Sequence, residues 1–127
     1  MGGAPADDAK GGTGALQDLL KVQNDDGSFP QSDVERIVFP SSGIPELSKF
    51  IARLDGRPIA KDQIWVTLLA AAFFVKKFND RESDWSAAKA KALKFAETTL
   101  CCIYGIQGGL ATAVVNGALK DADGYIS

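Results

Sequence analysis

With 127 residues, a net charge of −2, 46% hydrophobic side chains and 24% charged ones, the chain has the composition of a soluble globular protein. That length suits one domain, which would bury roughly 65% of its unfolded surface. Residues 1–61 carry seven basic and nine acidic side chains and residues 62–127 carry seven of each, so there is no basic footprint for nucleic acid and no acidic tail.

Histidine is absent, which removes the usual acid–base group at neutral pH and the commonest metal ligand. The two cysteines are adjacent, Cys101 and Cys102, and cannot form a disulfide framework; a reducing compartment fits them better than secretion. The start, Met1 to Ala6, has no apolar signal core, and Ala6 stands where a myristoylation signal wants Ser or Thr. The expectation is a cytoplasmic, unanchored protein.

Residues 1–12 are Gly, Ala, Asp and Lys with a single Pro, and they read as a disordered tail or linker ahead of a single helical domain over 13–127. A first helix is expected from Gly14 to Gln23, capped by Thr13 and apolar at Leu16, Leu19, Leu20 and Val22. Asn24 to Pro30 is a turn by composition, with Asp26-Gly27 supplying positive φ and Phe29 folding back as an anchor. Ser32 and Glu35 have capping-box spacing, which predicts a short helix through Val38. Pro45 suits the first turn of another, with Leu47, Phe50, Ile51 and Leu54 on one stripe before Asp55-Gly56. Arg57 to Lys61 reads as a connector.

The organising stretch is Ile64 to Phe78. Between Ile64 and Val75 only Thr67 is polar, and no Gly or Pro intervenes. A helix apolar almost all round belongs inside, and this one is too short for a bilayer. Asp62 is its expected cap, and Lys76 and Lys77 complement the negative end of its dipole. A charged turn follows over Asn79–Glu82. Ser83 is then expected to cap a long antiparallel helix through Tyr104, with Gly105 as its stop. The apolar face of that helix is Trp85, Ala88, Ala92, Phe95, Ala96, Thr99 and Ile103. Gly108 to Leu119 reads as a last helix of small side chains, and Asp121 to Tyr125 as a terminal turn. The fold class is therefore all-α, a compact bundle of about five helices around a central apolar helix.

Two features together resemble a known family. One is Leu19 to Phe29, a helix ending in Gln23 followed by the Asp26-Gly27-Ser28-Phe29 turn. The other is Trp65-Val66-Thr67-Leu68-Leu69-Ala70, then Phe78, Trp85 and the Lys89-Ala90 and Lys91-Ala92 pairs. This order resembles the C-terminal helical module of proteins that join a VIT domain to a von Willebrand factor A domain. It also resembles the related C-terminus of vault poly(ADP-ribose) polymerase, which docks onto the major vault protein. The resemblance covers about residues 15–96. It departs at Val66, where the family usually has Ala, and at residues 105–127, which run past the usual end. The family's catalytic and metal-binding residues lie in other domains, so the resemblance carries no catalytic residue here. The turn alone also looks like the repeat of α/α-toroid terpenoid cyclases, without the acidic motif those enzymes need.

Sites of chemistry fare poorly. Aligned as EF-hand loops on Gly27 or Gly124, the two Asp-Gly turns put Val22 or Leu119 at the first ligand position, so turn chemistry is the better reading. Cys101 and Cys102 diverge by about 100° on a helix and are read as buried packing residues rather than metal ligands. Gly105 to Gly109 matches no phosphate-binding pattern, and close helix packing is the expected use of its glycines. Thr98 to Leu119 is 22 residues without a charge, too rich in Gly for a membrane helix and the best candidate for a contact surface.

The chain thus reads as non-enzymatic, with no catalytic residue, cofactor or metal. It is expected to be a docking module that targets its owner to a large protein assembly, the resemblance implying the vault particle and its major vault protein. The expected partner-binding residues are Trp85, Lys89, Leu110, Val114, Val115 and Leu119. Two alternatives stand beside it: a subunit or fragment of an α/α-barrel-type enzyme binding an apolar substrate, and a structural subunit of a filament or shell.

Overall fold

A computed structural model describes residues 13–54 and 58–126, so the expected tail at 1–12 and the Asp55-Gly56 stop lie outside the described residues. The described residues are all-α, with six helices and no strand: α1 (Thr13–Val22), α2 (Gln31–Val38), α3 (Lys49–Ala52), α4 (Pro58–Lys77), α5 (Glu82–Tyr104) and α6 (Gly108–Tyr125), with a single 3₁₀ turn at Asn79–Arg81 between α4 and α5.

α4 is the axis of the bundle. Every residue from Ile64 to Phe74 is buried, as a helix with apolar side chains on all sides requires. The 3₁₀ turn sends α5 back along it, α6 covers another flank, and α2 and α3 close the rest. Aromatic pairs tie these layers together. Phe74 stacks on Trp85 of α5 at 6.2 Å and meets the edge of Phe29 at 5.9 Å, while Trp65 meets Tyr125 of α6 at 6.1 Å. Both indole N–H groups donate to backbone carbonyls: Trp65 Nε1 to Pro45 at 3.0 Å, and Trp85 Nε1 to Phe78 at 2.6 Å, a carbonyl that also accepts from Arg81 N–H.

The Asp-Gly-Ser-Phe turn is a strap laid into the seam between α4 and α5. Gln23 Nε2 donates both to Gly27 O (3.1 Å) and to Ala88 O of α5 (2.9 Å). Phe29 N–H donates to Thr67 Oγ1 at 3.2 Å, which gives the one polar side chain of the apolar run its partner. Gly27 adopts φ +100°, and a Cβ there would lie 2.1 Å from the Lys91 carbonyl oxygen, so the turn needs glycine twice over. Asp26 Oδ1 accepts from the Ser28 hydroxyl (2.7 Å) and the Ser28 N–H (3.0 Å). Hydrogen bonds from the Ser28 hydroxyl and backbone hold the Asp26 carboxyl below its ordinary value.

Several boundaries differ from the expectation, each for a local reason. α2 starts at Gln31 with Pro30 in the cap position, which puts Ser32 inside the first turn, where it cannot cap. The Pro45 helix shrinks to one turn because Ser48 is the better cap: its hydroxyl accepts from Phe50 N–H, while the Pro45 carbonyl is taken by Trp65. α4 begins at Pro58 rather than near Asp62, so most of the expected connector is helical, proline being well placed in a first turn. Arg81, not Ser83, occupies the cap position of α5. Gly105 does end α5, at φ +67°, its N–H returning to the Cys101 carbonyl.

The largest correction is at the C-terminus, where α6 continues through Asp121 to Tyr125 instead of turning. Ala111, Val115, Ala118 and Ala122 form a buried stripe at helical spacing that carries the helix past the turn-like Asp-Ala-Asp-Gly. Ser48 Oγ donates to Asp121 Oδ2 at 2.6 Å, and Lys76 Nζ donates to the Asp123 carbonyl at 3.2 Å, which fixes that last turn against α3 and α4. Val75 and Ile103, expected inside, are 37% and 44% exposed.

Cys101 and Cys102 are exposed free thiols rather than packing residues, because the buried face of α5 near its end passes through Thr99 and Leu100. A Cβ on Gly108 or Gly109 would meet open space, so neither mediates close packing. Gly117 does, its Cα lying under the Phe50 ring.

Three outcomes follow from this architecture. Trp65→Ala removes a side chain 1% exposed and leaves the Pro45 carbonyl unpaired, and it should cost about 3–5 kcal/mol in denaturant unfolding. Gly27→Ala should cost about 2–6 kcal/mol, from the strained φ and the contact with the Lys91 carbonyl together. Because the folded-state pKa of Asp26 is lowered, its contribution is complete above the unfolded aspartate value of about 3.9 and fades as pH falls through the lower folded value. Asp26→Ala should therefore narrow its stability gap to the parent below that pH in acid unfolding profiles.

Candidate functional site

The six expected partner-contact residues fall into three environments. Trp85 (4% exposed) and Val115 (1%) are core residues, one stacked on Phe74 and the other on the buried stripe of α6. Leu110 (64% exposed) and half-buried Val114 lie on the flank of α6 that also carries Gly117 and Asp121, the flank facing α3. Lys89 and Leu119 are the two that meet. They share a groove of about 480 Å³ with Ala72 and Val75 of α4 and Asn116, Lys120 and Asp123 of α6.

The local structure explains this grouping. Asn116, Leu119, Lys120 and Asp123 recur at three- and four-residue spacing and so form one face of α6, about 10 Å long. α5 supplies the opposite wall through Lys89, whose ammonium is 6.0 Å from the centre of the Trp85 ring. The buried Trp85 thus positions a groove residue without touching the groove itself. The floor comes from Ala72 and Val75 at the end of α4, where the enclosing helices cease to cover it. Among the described residues the groove is lined by two cations, Lys89 and Lys120, and one anion, Asp123. Lys76 already pairs with Asp123, at 3.8 Å.

Sequence reasoning missed Ala72, Val75, Lys120 and Asp123, and placed Asn116 only within the Thr98–Leu119 candidate stretch. The turn-like Asp121-Ala-Asp-Gly masks the periodicity that puts 116, 119, 120 and 123 on one face, and Val75 is indistinguishable by type from the apolar run before it. The signal was present in Lys120, the first charge after 22 uncharged residues and one helical turn beyond Asn116.

Two other concavities are seams between elements. One of about 530 Å³ runs beside the docked strap, where Asp25 and Asp26 face Lys91 and Lys94 above Phe95. The other, of about 450 Å³, lies along the Ser48–Asp121 contact, beside Lys49 and Tyr125. No group of three or more His, Cys, Asp or Glu side chains among the described residues could hold a metal ion. No described helix is long and apolar enough to cross a membrane.

The residues that carried the family resemblance now have physical roles. Gln23 to Phe29 form the strap, Thr67 receives it, Trp85 stacks on the Phe74 ring that Phe29 meets, and Lys89 lies over Trp85. No family model matches the chain, and no solved structure matches it. It is similar to two von Willebrand factor A domain-containing proteins of Dictyostelium discoideum. With one it is 30% identical over 88 residues, 65% of this chain, and with the other 28% identical over 85 residues, 67% of this chain. The chain spans about 8% of the length of each of these relatives.

Proposed function

We propose that this helical bundle is a non-catalytic protein-docking module that targets its owner to a large protein assembly, and that the partner seats in the groove between α5 and α6 over the end of α4. The observation that carries this reading is the groove floor. Val75 is a large apolar side chain 37% exposed, directly after the enclosed stretch Ile64–Phe74, flanked by Ala72 and Leu119 and bordered by charge. An apolar centre with a polar border is the composition of a protein interface, and a slot along a helix suits a helical ligand.

The similarity to von Willebrand factor A domain-containing proteins supports an interaction role as part of a larger architecture. The resemblance to the C-terminal helical module of such proteins supports the same role, and makes the major vault protein the first partner to test. An α/α-barrel enzyme subunit would need a flank of α4 open to substrate. Along Ile64–Phe74 those flanks are filled by Phe29, Trp85 and Tyr125, and the open surface at Val75 comes only in the last turn.

Purified vault particles provide the direct test. The parent chain should bind them, and Val75→Asn should weaken binding by about tenfold or more, a loss of about 1.4 kcal/mol, with the thermal melt displaced by only a degree or two. Leu110→Asp, on the α3-facing flank, should leave binding unchanged. A parent chain that fails to bind removes the vault as partner. Undiminished binding by Val75→Asn removes the groove as the docking site.

A further inference from the structure

Which chemistry the groove selects is written in its charges. Lys89 and Lys120 border the apolar floor, and neither makes an ion pair among the described residues. Asp123, the one anion of the lining, is matched by Lys76 outside it, so the local balance is positive on a chain whose net charge is −2. Lys89 is held in place over the Trp85 ring, which fixes one cation at the wall and reduces the entropy a partner must overcome to engage it. The face of α6 that lines the slot spans two turns, from Asn116 to Asp123, about 10 Å.

From this arrangement we infer that the groove recognises an acidic amphipathic helix of its partner, about two turns long, with an aliphatic anchor over Val75 and Leu119 and Glu or Asp side chains directed at Lys89 and Lys120. The inference rests on the docking reading and adds the sign of the partner's charge. Charge complementarity at such a border sets partner choice and encounter rate more than affinity. The same anchor flanked by lysine should therefore be turned away, and salt should erode the preference.

The test uses three helical peptides as probes: one with a Leu anchor and Glu flanks, one with the same anchor and Lys flanks, and one with Glu flanks and Ser in place of the anchor. Affinity would be read by fluorescence anisotropy and location by amide chemical shifts. The Glu–Leu peptide should bind at least about tenfold more tightly than either control, with shifts centred on Val75, Asn116 and Leu119. Lys120→Glu should shrink its preference over the Lys–Leu peptide, and adding Lys89→Glu should invert it, while Thr98→Glu, outside the groove, should change neither. Equal affinity for the Glu and Lys peptides, an unaltered preference in the charge-reversed chains, or shifts centred on the uncharged Ile103–Leu110 elbow would overturn the inference. Should Val75→Asn still release vault particles when peptide charge makes no difference, docking at the groove stands and only the acidic-helix inference falls.

Discussion

The whole bundle answers to a single demand: a helix with apolar side chains on every side has to be enclosed. From Ile64 to Phe74 no residue of α4 reaches solvent appreciably, and each neighbouring element owes its position to that enclosure. The polar exception, Thr67, is also satisfied in the interior, since its hydroxyl oxygen accepts the N–H of Phe29. A buried hydroxyl without that partner would be costly. The strap therefore does more than cover surface. It supplies the one hydrogen bond that lets a threonine occupy the core, and its Phe29 ring extends the Phe74–Trp85 stack by a third aromatic side chain.

Function, on the proposed reading, begins where the enclosure ends. The last turn of α4 carries Val75 and then two lysines, and neither α5 nor α6 closes over it completely. What remains is a shallow slot whose floor is a remnant of the core and whose walls belong to two well-anchored helices. α6 is held by Ser48 through Asp121 and by Lys76 through Asp123, and α5 by the stacked Trp85. Such a slot is pre-organised, which lowers the cost of seating a partner.

Much of this was legible in the chain itself. The central run announced its burial by lacking charge, Gly or Pro over twelve residues, and Asp26-Gly27 announced a turn whose positive φ the structure contains. Gly105 announced the end of α5. The features that stayed hidden are those decided by tertiary contacts. Asp121-Ala-Asp-Gly has the local preferences of a turn, and only Ser48, Lys76 and a buried alanine stripe keep it helical. Pro45 looked like a helix start because nothing local says that its carbonyl belongs to Trp65, twenty residues away. The groove was half visible for the same reason. Lys89 and Leu119 could be picked out as surface candidates, but their groove also needs Asn116, Lys120 and Asp123, whose register follows from the full length of α6, and Ala72 and Val75 of α4.

Native-state hydrogen exchange on the isolated protein would test the central claim most directly. If α4 is enclosed by its own chain alone, the amides of residues 64–74 and the Phe29 amide bound to Thr67 should be among the slowest, exchanging only through global unfolding. Rapid exchange along α4 in the absence of any partner would contradict the account, because the helix would then depend on another chain to complete its core.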